Sequence, residues 1–136
     1  MNDKIKLACI IDDDSIYVNL IRKIIETKKL CDNLLVFNDG KDGIEYFETI
    51  LQNLEDEFIP EVILLDLNMP VMDGWEFIER FTAIRNKLKK TITLYVVSSS
   101  INQSDIAKAK SLSSVKNYLV KPVEIDQLEA VFTKTA

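Results

Sequence analysis

The chain has 136 residues, 47% of them hydrophobic and 29% charged, the size and balance of one globular domain and not of a disordered or low-complexity protein. With 17 basic and 22 acidic residues the formal charge is −5, which disfavours direct nucleic-acid contact, and the lack of histidine excludes Ser-His catalysis, imidazole metal ligands and a phosphohistidine carrier. No apolar stretch approaches the ~20 residues that cross a bilayer, and the start "MNDKIKLACIIDDDS" has no secretory pattern, so a cytoplasmic protein without a membrane partner is expected.

The first strand-like run is "IKLACII", residues 5 to 11, ending in Asp12, Asp13 and Asp14. Tyr17, Leu20, Ile21, Ile24 and Ile25 then recur at helical spacing, with Asp14 and Ser15 placed to cap that helix. Cys9 and Cys31 show no CxxC or metal-ligand spacing and read as reduced thiols. A second run, "NLLVF" at 33 to 37, leads to Asn38 and Asp39 and to a helix carrying Ile44, Phe47, Ile50 and Leu51. The longest connection is "QNLEDEFIPE", 52 to 61.

The third run, "VILLDL" at 62 to 67, contains Asp66; Gly74 serves the turn into a helix with Phe77, Ile78, Phe81 and Ile84, and Trp75 is a packing residue. The basic cluster "KLKK" at 87 to 90 reads as a solvated helix end. A fourth run, "ITLYVV" at 92 to 97, meets Ser98, Ser99 and Ser100, and the helix after it, about Gln103 to Leu112, has the least apolar material and should be loosely anchored. The fifth, "KNYLV" at 116 to 120, meets Lys121 and Pro122 before a last helix with Ile125, Leu128, Val131 and Phe132.

Strand and helix alternate five times, which predicts parallel strands with helices on both faces, because parallel crossovers are long and right-handed. Residues 1 to 136 are expected to form one domain with no output domain. In such an open sheet the ligand crevice lies beyond the carboxyl ends of the strands. Asp12, Asp13, Asp66, Ser98 and Lys121 all fall at that edge.

Three carboxylates brought together repel one another unless a cation is present, and Mg²⁺ is bound by a few carboxylates while keeping waters and phosphate oxygens. With that charge offset, a carboxylate can act as nucleophile on a phosphoryl group, while Lys121 pairs with one phosphoryl oxygen and Ser98 donates to another.

These segments, "IIDDDS", "VILLDLNMPVMDG", "VVSSS" and "YLVKP", resemble the receiver domain of two-component response regulators over about Lys6 to Phe132. The resemblance implies a flavodoxin-like (βα)5 fold with strand order 2-1-3-4-5. It implies Asp66 as phosphoacceptor, Ser98 as switch hydroxyl and Lys121 as phosphoryl contact. Mg²⁺ would be held by Asp13, Asp66 and the backbone carbonyl of Asn68, with Asp12 holding a metal-bound water. Lys121 and Pro122 would be joined by a cis peptide. Tyr118 would change rotamer as Ser98 moves toward the phosphoryl group, remodelling the face formed by helix 4, strand 5 and helix 5.

The implied donor is a phosphohistidine on a kinase or histidine phosphotransfer protein, and the implied output is contact with another protein. Such a chain is a switch and not an enzyme, apart from slow Mg²⁺-dependent self-phosphorylation and self-dephosphorylation. One departure from the family pattern concerns residue 98, where Ser replaces the commoner Thr and loses a methyl that would restrict its rotamer.

Two other readings compete. Asp12 and Asp14 could form the DxD of an aspartate-nucleophile phosphohydrolase of the haloacid dehalogenase type, although no further acidic pair and cap follow Lys121 as that class requires. The chain could also be an inert receiver-like interaction module. The complete set of carboxylates, hydroxyl and lysine speaks against that.

Overall fold

A computed structural model describes residues 4 to 53, 58 to 88 and 90 to 133. Five strands, β1 (Ile5–Ile11), β2 (Cys31–Phe37), β3 (Val62–Leu65), β4 (Thr93–Ser98) and β5 (Val115–Val120), alternate with α1 (Ser15–Lys28), α2 (Gly40–Asn53), α3 (Gly74–Ile84), α4 (Gln103–Ser111) and α5 (Ile125–Val131). All strand pairs are parallel, in the order β2-β1-β3-β4-β5. This is the flavodoxin-like arrangement expected from the resemblance.

The period-two alternation of side chains along each strand separates two cores. Cys9, Ile11, Ile63, Leu65, Leu94 and Val96 face α2, α3 and α4, where Phe47, Phe77 and Phe81 are the largest fully buried side chains. Phe77 and Phe81 stack with centroids 5.8 Å apart, and Phe47 meets Phe81 edge-on at 5.3 Å. Ala8, Ile10, Val62, Leu64, Val97 and Leu119 face α1 and α5, with Val18, Ile21, Ile25 and Leu128. Both faces of the sheet are therefore covered, and the site can open only at its edge.

Several boundaries differ from the sequence expectation. β2 begins at Cys31, because edge pairing with β1 extends to Ile5↔Cys31. β3 stops at Leu65, although the Asp66 N–H still donates to the Ile11 carbonyl at 2.9 Å, carrying the ladder one residue further. Ser98 is the last residue of β4, paired with Val120, and so is held by the sheet. The start of "QNLEDEFIPE" is helical, since α2 runs to Asn53, while residues 54 to 57 lie outside the described residues. Within "KLKK", a 3-10 turn over Arg85–Lys87 leaves Lys87 exposed but buries Leu88, and Lys89 lies outside the described residues.

α4 buries only Ala109 fully and starts from an Asn102 cap whose Oδ1 accepts the Ser104 N–H at 2.8 Å. Both cysteines are free thiols, and burial holds Cys9 well above the usual thiol range. Among the described residues, no helix is long and apolar enough to cross a membrane.

Candidate functional site

The site forms where β1 and β3, central in the sheet, stop side by side. Asp12 follows Ile11, Asp66 follows Leu65, and those two strand residues are register partners. Asp12, Asp13 and Asp66 consequently offer carboxylate oxygens that all lie within 4.8 Å of one another. Asp12 and Asp66 are buried whereas Asp13 is exposed, so the cluster opens on the Asp13 side. A set of hard oxygen donors at this spacing fits Mg²⁺.

Lys121, at the end of β5, reaches back across the edge. Its Nζ lies 2.7 Å from Asp12 Oδ2 and 3.8 Å from Asp66 Oδ2. The ammonium also sits 4.5 Å from the centroid of the Tyr17 ring, on the first turn of α1. Burial is the main force pushing the Tyr17 hydroxyl up to about 12, so it stays protonated beside this cluster. The Lys121-Pro122 peptide is cis, as the resemblance implied.

Asp66 is pushed up to about 6, first by burial and next by the Asp12 carboxylate; Lys121 and the Leu67 N–H act in the opposite direction. That N–H donates to Asp66 Oδ1 at 2.9 Å and helps fix the carboxylate plane. Asp12 is fixed in the same way, its Oδ1 accepting the Asp14 N–H at 2.9 Å. The Asp14 side chain turns instead to α1, capping it through the Tyr17 N–H at 3.1 Å. The second acid of a DxD pair is thus committed to the helix, which weakens the phosphohydrolase reading.

The loop from Asp66 to α3 is shaped by Gly74. A Cβ there would lie 2.4 Å from the Asp66 carbonyl oxygen and 2.8 Å from Leu67 Cα. The Gly74 N–H donates to the Leu67 carbonyl at 2.9 Å, closing the loop against the strand end. Asn68 lies exposed on this loop, and Asp73 caps α3 by accepting the Glu76 N–H at 2.9 Å.

Ser98 is fully buried, and its Oγ accepts the Ser100 N–H at 3.1 Å. Tyr118 is turned inward and buried, its hydroxyl donating to the Ser100 carbonyl at 2.8 Å. The resemblance marked residue 100 only as one that influences how fast the phosphoryl group is lost; sequence reasoning gave Asp105 no place here, and took Tyr17 only as a helix-face residue. The aromatic at the first turn of α1, directly after the acidic run, was the available signal for Tyr17. Nothing local to Ser100 distinguishes it from Ser99.

An open parallel sheet with an acidic cluster, a lysine and a buried hydroxyl at its carboxyl edge is the frame of a phosphoacceptor domain. A family model described as the response regulator receiver domain matches residues 8–133, and the chain belongs to that family. Members act as phosphoacceptor switches, are generally phosphorylated by histidine kinases, bind Mg²⁺ at the acidic cluster and contact downstream targets.

The chain is 26% identical to the probable methanogenesis regulatory protein FilR2 of Methanothrix harundinacea, over 90% of this chain and 76% of that protein. It is 33% identical to the sensor histidine kinase CheAY of Helicobacter pylori over 98% of this chain, but spans only 15% of that protein. Several other curated relatives also extend well beyond the match; the chain spans 30% of YesN from Bacillus subtilis. The crystal structure of a two component response regulator from Cytophaga hutchinsonii superposes with a TM-score of 0.80 at 28% identity, covering 95% of each chain.

Proposed function

We propose that the protein is a phosphorelay switch that takes a phosphoryl group onto Asp66 from the phosphohistidine of a partner kinase or phosphotransfer protein. The observation that carries this reading is the meeting of Asp12, Asp13 and Asp66 within 4.8 Å, with the Lys121 ammonium against two of them. In the transfer, an Asp66 carboxylate oxygen forms the bond to phosphorus as the phosphorus–nitrogen bond of the donor breaks. The electron pair stays on the imidazole nitrogen, which then takes up a proton.

Lys121 pairs with one phosphoryl oxygen and Ser98 donates its O–H to another; both contacts strengthen as charge develops there. Asp13, Asp66 and the Asn68 carbonyl would hold Mg²⁺, with Asp12 placed to hold one of its waters; the bound ion would supply positive charge that relieves carboxylate repulsion and offsets phosphoryl oxygen charge. Small phosphodonors serve in place of the partner, and the same site slowly releases phosphate.

Tyr118 and the α4, β5, α5 face carry the output by contact with another protein in the cytoplasm. Working as a single receiver domain over residues 1 to 136 is in keeping with the 95% mutual coverage against the Cytophaga hutchinsonii structure. A net charge of −5 argues against direct nucleic-acid binding. The test is intact-protein mass spectrometry after treatment with acetyl phosphate, with and without Mg²⁺. One added phosphoryl group that needs Mg²⁺ and is lost in Asp66→Asn is expected; no uptake, together with no Mg²⁺ binding at millimolar concentration, would identify an inert module.

A further inference from the structure

Serine at position 98 poses a problem for this site, because an unbranched side chain has three staggered rotamers open to it and no second γ substituent to choose among them. The Ser100 N–H makes that choice. It donates to Ser98 Oγ at 3.1 Å, occupying one of the two acceptor positions of the hydroxyl and leaving its O–H available as a donor.

A bond between residues two apart constrains Ser98 only if the Ser100 peptide is itself held, and it is held from three directions. Ser100 Oγ donates to Asp105 Oδ2 on the first turn of α4 at 2.9 Å. The Asn102 N–H donates to Ser100 Oγ at 3.2 Å, tying it to the helix cap. The Tyr118 hydroxyl donates to the Ser100 carbonyl at 2.8 Å from β5.

We infer that Ser100 is the positioning residue for the Ser98 hydroxyl, doing through Asp105 and Tyr118 what a threonine methyl would do at residue 98, and so linking α4 to the phosphoacceptor site. This rests on the assignment of Asp66 and Ser98 above. Coupling of this kind is reciprocal: whatever fixes the hydroxyl also feels its engagement. Trp75, the one tryptophan of the chain, reports on it, since the ammonium of Lys108 on α4 lies 4.3 Å from its ring centroid. A shift of α4 alters that contact.

The test compares the rate of phosphoryl uptake from acetyl phosphate with Mg²⁺, and the accompanying change in Trp75 fluorescence, in the unsubstituted protein, Ser100→Ala, Asp105→Ala, Ser98→Thr and the double variant Ser100→Ala/Ser98→Thr. Freeing the Ser100 peptide weakens its N–H bond to Ser98 Oγ and should slow uptake about fivefold in Ser100→Ala and in Asp105→Ala, which removes the acceptor of the Ser100 hydroxyl. The fluorescence change should shrink in both. Ser98→Thr should restore the rate in the Ser100→Ala background, which a merely structural role for Ser100 would not allow. Unchanged rates in both Ser100→Ala and Asp105→Ala, or slowing that Ser98→Thr fails to repair, would overturn the inference while leaving Asp66 in place. Uptake undiminished in Asp66→Asn would overturn the site assignment and this inference with it.

Discussion

Lys121 Nζ stands closer to Asp12 than to Asp66, 2.7 Å against 3.8 Å, although Asp66 is the proposed acceptor. The lysine therefore balances the more deeply buried acid in the free protein and must share itself with a phosphoryl group afterwards. Removing it leaves Asp12 as an uncompensated buried charge. Lys121→Met is expected to lower stability in Mg²⁺-free buffer by about 3 kcal/mol, the cost of breaking a buried pair from one side. Urea denaturation with and without Mg²⁺ checks this: the deficit should narrow as the ion binds, and an unchanged midpoint in its absence would contradict the pairing.

The raised Asp66 pKa gives a pH dependence of definite sign. Its folded value of about 6 lies above the ordinary 3.8, so between these values the folded state holds the proton more firmly than the unfolded chain does. This group's contribution therefore falls as pH rises from 3.8 to 6, and the full penalty is present above that window. The rise from 3.8 to about 6 corresponds to roughly 3 kcal/mol as an upper bound. Without Mg²⁺, Asp66→Asn should be more stable than the parent at pH 7, with the gap closing toward pH 4. Denaturation midpoints at the two pH values measure it; an Asp66→Asn protein less stable at pH 7 would refute the repulsion argument.

Gly74 is required by space and not by backbone angle. Ala at this position drives a methyl into the Asp66 carbonyl oxygen, to which rigid backbone offers no retreat. Gly74→Ala should cost about 2 kcal/mol or more and slow phosphoryl uptake by displacing the acceptor, both readable by thermal melting and a mass-based uptake assay.

Val71 presents the opposite case. Its φ is 68°, a conformation disfavoured for a β-branched residue, and its side chain is 77% exposed, with the Met72 N–H bonded to the Pro70 carbonyl across it at 2.7 Å. Relief of roughly 1–2 kcal/mol of strain, less glycine's entropic cost of about 0.5–1 kcal/mol, leaves Val71→Gly more stable by up to about 1.5 kcal/mol. A lowered melting temperature would count against the strain.

The central elements were legible because their signals were local: uninterrupted apolar runs for β3 and β4, helical spacing for α1 to α3, and polar residues at each strand end. β1 was read to the residue, because Asp12 marks a sharp change from apolar to charged. β2 was read two residues short, because as an edge strand it carries Asp32 exposed within its ladder, where polarity is no signal of a strand end. The site residues could be gathered from the β-α alternation alone, since Asp12, Asp66, Ser98 and Lys121 each follow a strand-like run and so fall at the carboxyl edge of the sheet. Their mutual pairing could not, since the preference of Lys121 for Asp12 and the holding of Ser100 by Asp105 and Tyr118 depend on contacts between segments far apart in the chain.

The most direct measurement is the position of the phosphoryl group after reaction with acetyl phosphate and Mg²⁺. Borohydride reduction of the acyl phosphate followed by peptide mass spectrometry should convert Asp66 alone, leaving Asp12 and Asp13 intact. Modification centred on Asp12 or Asp13, or none at any aspartate, would contradict the account.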